Sequence, residues 1–198
     1  MSEPGKKLLT VEEFEAMDWG DGPAPELIDG EITWGEEDPV ELLPRGRHQR
    51  AAARLSARLS ALDPDEPGEA GWWILPDVDV RLALRTLVRP DVGGWRRTRL
   101  PEIPEHAIDV VPDWVCEVLT PGREVHDLET KRTLYARYGV GWYWIVDAHA
   151  RTLQAYENSS GRWLWLGTWT DGQAAAIPPF ELELEVGTMF LPLPKKPE

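Results

Sequence analysis

The chain has 198 residues, of which 42% are hydrophobic and 28% are charged, and this composition is typical of one ordinary globular domain and excludes a disordered chain. No apolar run reaches the roughly 20 residues of a transmembrane helix, and the polar N-terminus lacks the apolar stretch of a signal peptide, so we expect a soluble cytoplasmic protein. The net charge of −14 argues against a surface that binds duplex phosphates over a long stretch.

The first predicted elements are a short helix and a hairpin. Thr10 and Glu13 have the spacing of a capping box, which predicts a helix beginning after Thr10. Asp29 and Gly30 lie between two runs with apolar residues and predict a tight β-hairpin turn. Over residues 48–62 apolar side chains recur at spacings of three and four, which predicts an amphipathic helix.

The middle and C-terminal parts of the chain alternate between strand and helix patterns. A helix is predicted over 124–138, closed by Gly139, and a strand buried on both faces over 142–146. The other strands are predicted over residues 72–84, 86–92 and 114–119, and then over 152–156, 162–169 and 180–186.

This order predicts an α/β (α+β) fold with a core of helix, three strands, helix and strand around a mixed central sheet, and with extra N- and C-terminal β-hairpins. We expect a single domain over residues 1–198. Its core would span roughly 48–147, the helix and hairpin 1–47, and the C-terminal strands 148–190.

Glu117 is the most informative residue for function, because it lies in the apolar run 114–119. An unpaired buried charge costs several kcal/mol, so a lysine, an arginine, a raised pKa or a cation must compensate it. A core salt bridge, or an edge strand with Glu117 facing water, is the structural alternative.

Asp91 adds a second carboxylate at the end of the predicted strand 86–92, fixed by Pro90 just before it. If that strand pairs with 114–119, both acids can converge on one divalent ion. Pro-Asp is common at turns, and Asp77 is the main competitor, with the polar face of a half-exposed strand as its structural interpretation.

Lys131 lies on the apolar stripe of the predicted second helix, so its ammonium group would point at the sheet, towards Glu117 or a bound phosphate. The alternative is an exposed ion pair with Asp127. Two acids and a lysine are the groups that metal-assisted phosphodiester hydrolysis requires, and their hard oxygen ligands suit Mg²⁺ or Mn²⁺. The four histidines are too scattered to indicate an imidazole metal site.

Two further features concern local charge and the single cysteine. Six arginines crowd one stretch and form either a phosphate-binding surface or a solvated strand and loop: Arg81, Arg85, Arg89, Arg96, Arg97 and Arg99. Cys116 is alone in an apolar run, which excludes an internal disulfide and favours a buried, unreactive thiol.

Several segments, taken in order, resemble the Uma-two family of restriction endonuclease-like proteins within the PD-(D/E)XK nuclease superfamily. They cover most of the chain and comprise residues 9–14, 26–31, His48-Gln49, 89–92, 116–121, Asp127, Lys131, Leu134-Tyr135 and 143–147.

The resemblance implies Asp91 and Glu117 as metal ligands, with the carbonyl of Val118 as a third, and Lys131 as the catalytic lysine. The wider superfamily has a lysine two residues after the acid, where this chain has Leu119, so the resemblance places that role on the following helix. Glu26 also matches a family position and is a candidate assisting acid.

The first hypothesis is a Mg²⁺- or Mn²⁺-dependent endonuclease that hydrolyses DNA. A second is a catalytically silent binding or scaffold protein, dimeric through its Trp-rich C-terminal strands, and a third is a nuclease acting on RNA. The Asp91, Glu117 and Lys131 set favours the first hypothesis, and the charge of −14 favours the second.

Overall fold

The N-terminal elements form where the local sequence signals place them. The computed structural model describes residues 7–20, 25–34, 46–64, 70–119 and 126–193, with only the backbone at 126–128. Thr10 and Glu13 form the reciprocal capping box that begins helix α1 (Val11–Glu15). Asp29 and Gly30 both have positive φ, as a two-residue hairpin turn requires, and they join β1 (Glu26–Ile28) to β2 (Glu31–Thr33).

The remaining elements follow in chain order. Helix α2 (Gly46–Leu59) ends in a 3₁₀ turn, Ser60–Leu62, and a π-helix, His126–Lys131, continues directly into α3 (Arg132–Tyr138). The other strands are β3 (Trp72–Pro76), β4 (Val80–Ala83), β5 (Thr86–Val88), β6 (Val92–Arg96), β7 (Trp114–Val118), β8 (Trp142–Asp147), β9 (Thr152–Ser159), β10 (Arg162–Thr170), β11 (Ala174–Ala176) and β12 (Glu183–Glu185).

The central sheet has six strands in the order β10-β9-β8-β7-β6-β3. Strands β7 and β8 are parallel and the other neighbours are antiparallel, which confirms the predicted mixed sheet. The order α2, β3, β6, β7, α3, β8 confirms the predicted core, with the β4–β5 hairpin inserted after its first strand.

The two faces of this sheet carry separate hydrophobic clusters. Cys116 and Trp144 pack with α2 on one face. Val115 and Tyr143 pack with α3 on the other. Side chains alternate along a strand, so Glu117 shares the α3 face with Val115.

Two of the predicted strands are each divided in the structure. Asp77, with a φ of 49°, ends β3, and the chain then enters β4 in a different sheet, so the single strand predicted over 72–84 is wrong. Residues 86–92 likewise separate into β5 and the start of β6, and Pro90 lies in the break because it has no backbone N–H to donate. Asp91 therefore precedes β6 and does not end β5.

The glycines after Asp91 are part of an interior strand because two tryptophans need the space above them. A Cβ on Gly93 would lie 2.5 Å from the ring of Trp95, and one on Gly94 would lie 2.9 Å from the ring of Trp114. Both tryptophans are fully buried. The break in apolar pattern at Gly93-Gly94 thus reflects close packing within β6.

A second sheet has the strand order β2-β1-β5-β4, and α1 packs against it in a small hydrophobic cluster. The predicted N-terminal hairpin belongs to this sheet, and β1 pairs with β5 through Leu27 and Leu87. The predicted C-terminal strands extend the central sheet as β9 and β10, while residues 180–186 contain only the three-residue β12 before a 3₁₀ turn. The predicted start of the second helix at residue 124 lies outside the described residues. In the described part of the chain, no helix has the length and apolarity to cross a membrane.

Candidate functional site

Glu117 lies near the C-terminal end of β7, between β6 and β8, and is only 2% exposed. Its position follows from the apolar sequence of β7, which is buried along its whole length. A buried negative charge needs a compensating partner, and α3 and the π-helix before it supply partners for Glu117. Two side chains from that segment, Lys131 and Tyr135, reach Glu117.

Lys131 is 6% exposed, and its ammonium group lies among oxygen atoms. Its Nζ is 3.2 Å from Oε1 of Glu117 and 3.4 Å from Oε2. The same Nζ is 3.1 Å from Oε1 of Glu26 and 3.1 Å from the carbonyl oxygen of Arg89. Lys131 is therefore buried and directed at the sheet, and it is not an exposed side chain. The side chain of Asp127, its alternative partner, lies outside the described residues.

Glu26 reaches the same lysine from the second sheet, at the start of β1. Its Oε1 also accepts a 2.7 Å hydrogen bond from the backbone N–H of Arg89, which follows β5. The pairing of β1 with β5 therefore determines where this carboxylate lies. Sequence periodicity could not predict the contact between Glu26 and Lys131, because only the junction of two sheets brings these residues together.

Asp91 lies beside Glu117 across a strand pair. Val92 pairs with Cys116 in the antiparallel register of β6 and β7, so one further step puts Asp91 opposite Glu117. Oδ2 of Asp91 accepts a 2.7 Å hydrogen bond from the backbone N–H of Val118. The expected adjacency of the two acids is therefore present, although Asp91 reaches it from the beginning of β6.

His48, on the first turns of α2, approaches Asp91 from the other side. Its Nε2 is 3.0 Å from Oδ1 of Asp91, and both side chains are largely buried. The sequence marked His48 only as a family match without a role. The sequence signal was its place at the start of the predicted helix over 48–62. In the structure this helix packs on β7, which brings His48 near the end of that strand.

Tyr135 is the second residue whose contact sequence analysis missed. Its hydroxyl donates a 2.7 Å hydrogen bond to Oε1 of Glu117. Complete burial, followed by the charges of Glu117 and Glu26, raises the pKa of Tyr135 well above its ordinary value, so the hydroxyl remains a donor. Its spacing of four residues from Lys131 was the signal that both share one helix face.

The remaining candidates lie elsewhere or are already engaged. Asp77 is exposed at the bend after β3, where its backbone N–H donates a 3.3 Å hydrogen bond to the carbonyl oxygen of Asp91. Burial, then the charges of Asp91 and Glu117, raises the pKa of Cys116, which supports the expected unreactive thiol. Most of the clustered arginines contact protein groups: Arg81 pairs with Glu12, Arg89 with Asp79, Arg97 with Asp63 and Arg99 with Asp113, while Arg96 stacks on Trp72. Five of the six arginines thus have protein partners, as the interpretation of a solvated strand and loop expects.

The donor set fits a hard divalent cation. The described part of the cluster contains three carboxylates, Asp91, Glu117 and Glu26, against the single ammonium group of Lys131. Within the described ranges, no group of three or more His, Cys, Asp or Glu side chains is arranged to hold a metal ion. Mg²⁺ is usually bound by one or two carboxylates and several waters. The carboxylates of Asp91 and Glu117 match that arrangement.

The sequence and fold also match known proteins. A crystal structure from Anabaena variabilis ATCC 29413, described as a "putative nuclease belonging to DUF820", superposes with a TM-score of 0.67 at 18% identity, covering 91% of this chain and 97% of that chain. At this identity the similarity establishes the fold. A comparison with curated proteins gives no significant match. The profile of the Uma2 family, described as "Putative restriction endonuclease", matches residues 11–190. The chain therefore belongs to the Uma2 family and has its restriction-endonuclease-like fold.

Proposed function

We propose that this protein is a divalent-metal-dependent endonuclease that hydrolyses phosphodiester bonds of DNA. The proposal assigns Mg²⁺ or Mn²⁺ to Asp91 and Glu117, with the carbonyl oxygen of Val118 as a third ligand. The observation that carries it is the convergence of Lys131 on Glu117 and Glu26, within 3.1–3.4 Å, beside Asp91 in the sheet. Membership of the family supports the nuclease assignment.

When bound, the cation would polarise the phosphate and lower the pKa of an attacking water. The protein contributes position and charge. Lys131 is held among oxygen atoms on the face of Glu117, where its ammonium group can orient a water or stabilise negative charge that develops on a phosphate oxygen. Glu26 assists by holding the ammonium group at 3.1 Å from the second sheet.

The enclosed setting favours this chemistry. Glu117 and Lys131 are almost completely buried, so their electrostatic interactions are stronger than at an exposed surface. Tyr135 donates to one carboxylate oxygen of Glu117 and limits its rotation. The three groups therefore need little reorganisation when a phosphate arrives.

A catalytically silent scaffold is the second candidate, and a specific observation favours it. A buried glutamate paired with a lysine is also the arrangement of a structural core salt bridge, which need not do any chemistry. In this alternative the nuclease fold is kept as a binding module, which we expect to be a homodimer. RNA in place of DNA is the other open substrate class.

Metal titration separates the two candidates. Isothermal titration of Mn²⁺ into the wild type should show binding that Glu117→Gln loses, while Glu157→Gln, an exposed glutamate on β9, should bind as the wild type does. Equal Mn²⁺ affinity in wild type and Glu117→Gln would remove the metal role. Circular dichroism of each variant checks that the fold is intact.

Cleavage assays then identify the substrate. Single-stranded, duplex and branched DNA and single-stranded RNA are incubated with Mn²⁺, and we expect cleavage of DNA. Lys131→Ala serves as the control for contaminating nuclease, because a contaminant would be unaffected by it. Binding of Mn²⁺ without cleavage of any of these substrates would favour the scaffold.

A further inference from the structure

The face of the sheet that carries Glu117 continues outward as a row of aromatic side chains. Tyr143 on β8 pairs with Tyr156 on β9, and Tyr156 pairs with Trp165 on β10. Directly paired residues project from the same side of a sheet, so Trp165 lies on the face of Tyr143, Tyr156 and Glu117. The row runs from the buried core to the edge strand.

Trp165 is the most exposed part of this row, with 64% of its surface accessible. Its neighbour Leu164 is 53% exposed on the opposite face of the same strand. Trp163, two residues earlier on the Trp165 face, packs against the ring of Tyr143 and donates its indole N–H to the carbonyl of Arg132. Trp165 therefore extends a packed aromatic surface into solvent without contributing to the core.

Arginines flank these rings. The guanidinium group of Arg132 lies 4.4 Å from the centre of the Tyr156 ring, and Arg162 begins β10. Both line an open groove of about 690 Å³ between α3 and the β9–β10 turn, together with Trp163, Arg137 and one acid, Glu129. Arg137 is paired with Asp29, so Arg132 and Arg162 supply the positive charge of this groove.

The surface lies next to the proposed catalytic site. Arg132 directly follows Lys131 in the chain, so one helix directs Lys131 inward and Arg132 towards the groove. Strand β10 is three strands away from β7 in the sheet, which corresponds to about 14 Å at the usual strand spacing. Because α3 covers the middle of this face, a flexible polymer bound at Trp165 reaches Glu117 by passing around α3.

We propose that four residues, Arg132, Arg162, Trp163 and Trp165, form an arginine–aromatic surface that binds a single strand of nucleic acid beside the proposed catalytic site. Trp165 stacks on a base, and Arg132 and Arg162 contact phosphates. A single strand is favoured over a duplex because its bases have free faces for stacking, and arginines beside aromatic rings are the usual means of binding it. The inference rests on the proposed function and adds the form of the substrate.

Binding of a fluorescein-labelled oligothymidylate of about ten nucleotides, a length within the range of known single-strand sites, tests the proposal by anisotropy. EDTA is present, so that strand binding is measured independently of the metal site. Trp165→Ala should weaken binding about ten-fold, and Trp165→Phe should restore most of the affinity because it keeps an aromatic face. Leu164→Ala is the matched control, since it removes a similarly exposed side chain from the same strand on the other face.

Salt dependence tests the phosphate contacts separately. Arg132→Ala and Arg162→Ala should each reduce the slope of log affinity against log salt by about 0.7, the value for one phosphate contact on a single strand. Arg58→Ala, an exposed arginine on α2, should leave the slope unchanged. No binding of the oligonucleotide by the wild type at low salt, or equal affinities for Trp165→Ala and Leu164→Ala, would overturn the proposal.

Three competing results would also overturn it. Duplex DNA binding as tightly as the single strand, with equal sensitivity to Trp165→Ala, would indicate backbone contact without stacking. Polyglutamate competing as well as the oligonucleotide would indicate a general anion site. Conversion of a dimer to a monomer by Trp165→Ala, measured by light scattering, would assign the surface to a second copy of this chain. None of these depends on Mn²⁺, so they are distinct from failure of the metal site.

Discussion

The hydroxyl of Tyr135 donates a 2.7 Å hydrogen bond to Glu117 in the interior, on the side of the carboxylate that Lys131 also contacts. The two donors come from successive turns of one helical segment, so they hold Oε1 of Glu117 from neighbouring positions. Tyr135 therefore acts on the proposed site through Glu117 and is a positioning residue.

Replacing Tyr135 with phenylalanine should reduce Mn²⁺ affinity about ten-fold, because residues that orient a metal ligand typically contribute ten- to hundred-fold to affinity. It should also lower the free energy of unfolding by about 1–3 kcal/mol, since a buried acceptor loses its donor. Isothermal titration and urea unfolding measure the two effects. Tyr156→Phe removes a comparable hydroxyl contact, to Gln154, and is the control. If both variants bind Mn²⁺ alike, Tyr135 has only a structural role.

Asp91→Asn should abolish Mn²⁺ binding and leave the fold largely intact. The amide oxygen of asparagine can still accept the hydrogen bond from the N–H of Val118, while the charge that favours a cation is lost. Saturating Mn²⁺ at 100 times the Kd should raise the stability of the wild type by about 2.7 kcal/mol. A thermal-shift assay should show this increase in the wild type and none in Asp91→Asn. An equal increase in both would exclude Asp91 as a ligand.

A double-mutant cycle should reveal strong coupling between Lys131 and Glu117. Lys131→Met alone should lower the free energy of unfolding by about 3–5 kcal/mol, because it leaves buried carboxylates without their lysine. Adding Glu117→Gln should recover part of the loss, with a coupling energy of about 1–3 kcal/mol. Urea unfolding of the wild type, both single variants and the double variant provides the values. If the changes in the free energy of unfolding are strictly additive, the 3.2 Å ion pair of Lys131 and Glu117 does not itself contribute to stability.

Gly94→Ala should lower the free energy of unfolding by about 1–3 kcal/mol, since its added methyl group would overpack the core. The new Cβ would lie 2.9 Å from the ring of Trp114, which is fully buried and cannot move aside easily. Gly46→Ala is the control because a Cβ there meets open space. Chemical denaturation of both variants checks the expectation, and similar midpoints would contradict it.

The stability of the protein should fall as pH rises above about 8.5, the ordinary pKa of a cysteine thiol. Burial and the charges of Asp91 and Glu117 raise the pKa of Cys116, so the folded state keeps a proton that the unfolded chain loses. The raised pKa of Tyr135 adds a loss of the same sign above about pH 10. Urea midpoints from pH 7 to 10 should decline in the wild type and stay flatter in Cys116→Ala. Identical profiles would contradict the assignment.

The sequence alone was sufficient where a local rule acts on neighbouring residues. The capping box of Thr10 and Glu13, the turn at Asp29-Gly30 and the alternation of helix and strand patterns all appear in the structure. The burial of Glu117 was also predictable, because a carboxylate inside an apolar run has few alternatives. These conclusions depend on spacings of a few residues, and such spacings do not depend on the tertiary structure.

Local patterns were misleading where one continuous alternating run contributes strands to two different sheets. The alternation over residues 72–84 continues through Asp77, yet the chain bends there and the two halves enter different sheets. Gly93-Gly94 reads as a break and is an interior strand, because its space is taken by tryptophan rings. Alternation reports which side of a strand is apolar, and it does not report which strand lies alongside.

The amino-acid sequence by itself determined the candidate acids, the candidate lysine and the class of fold. Only the tertiary structure decided that Glu26 shares Lys131 with Glu117, that His48 contacts Asp91, and that Trp165 lies on the face of Glu117. Each of these contacts joins residues distant in the chain through strand register or the junction of two sheets. Register is set by the packing of whole elements, and for that reason it cannot be read from any one segment.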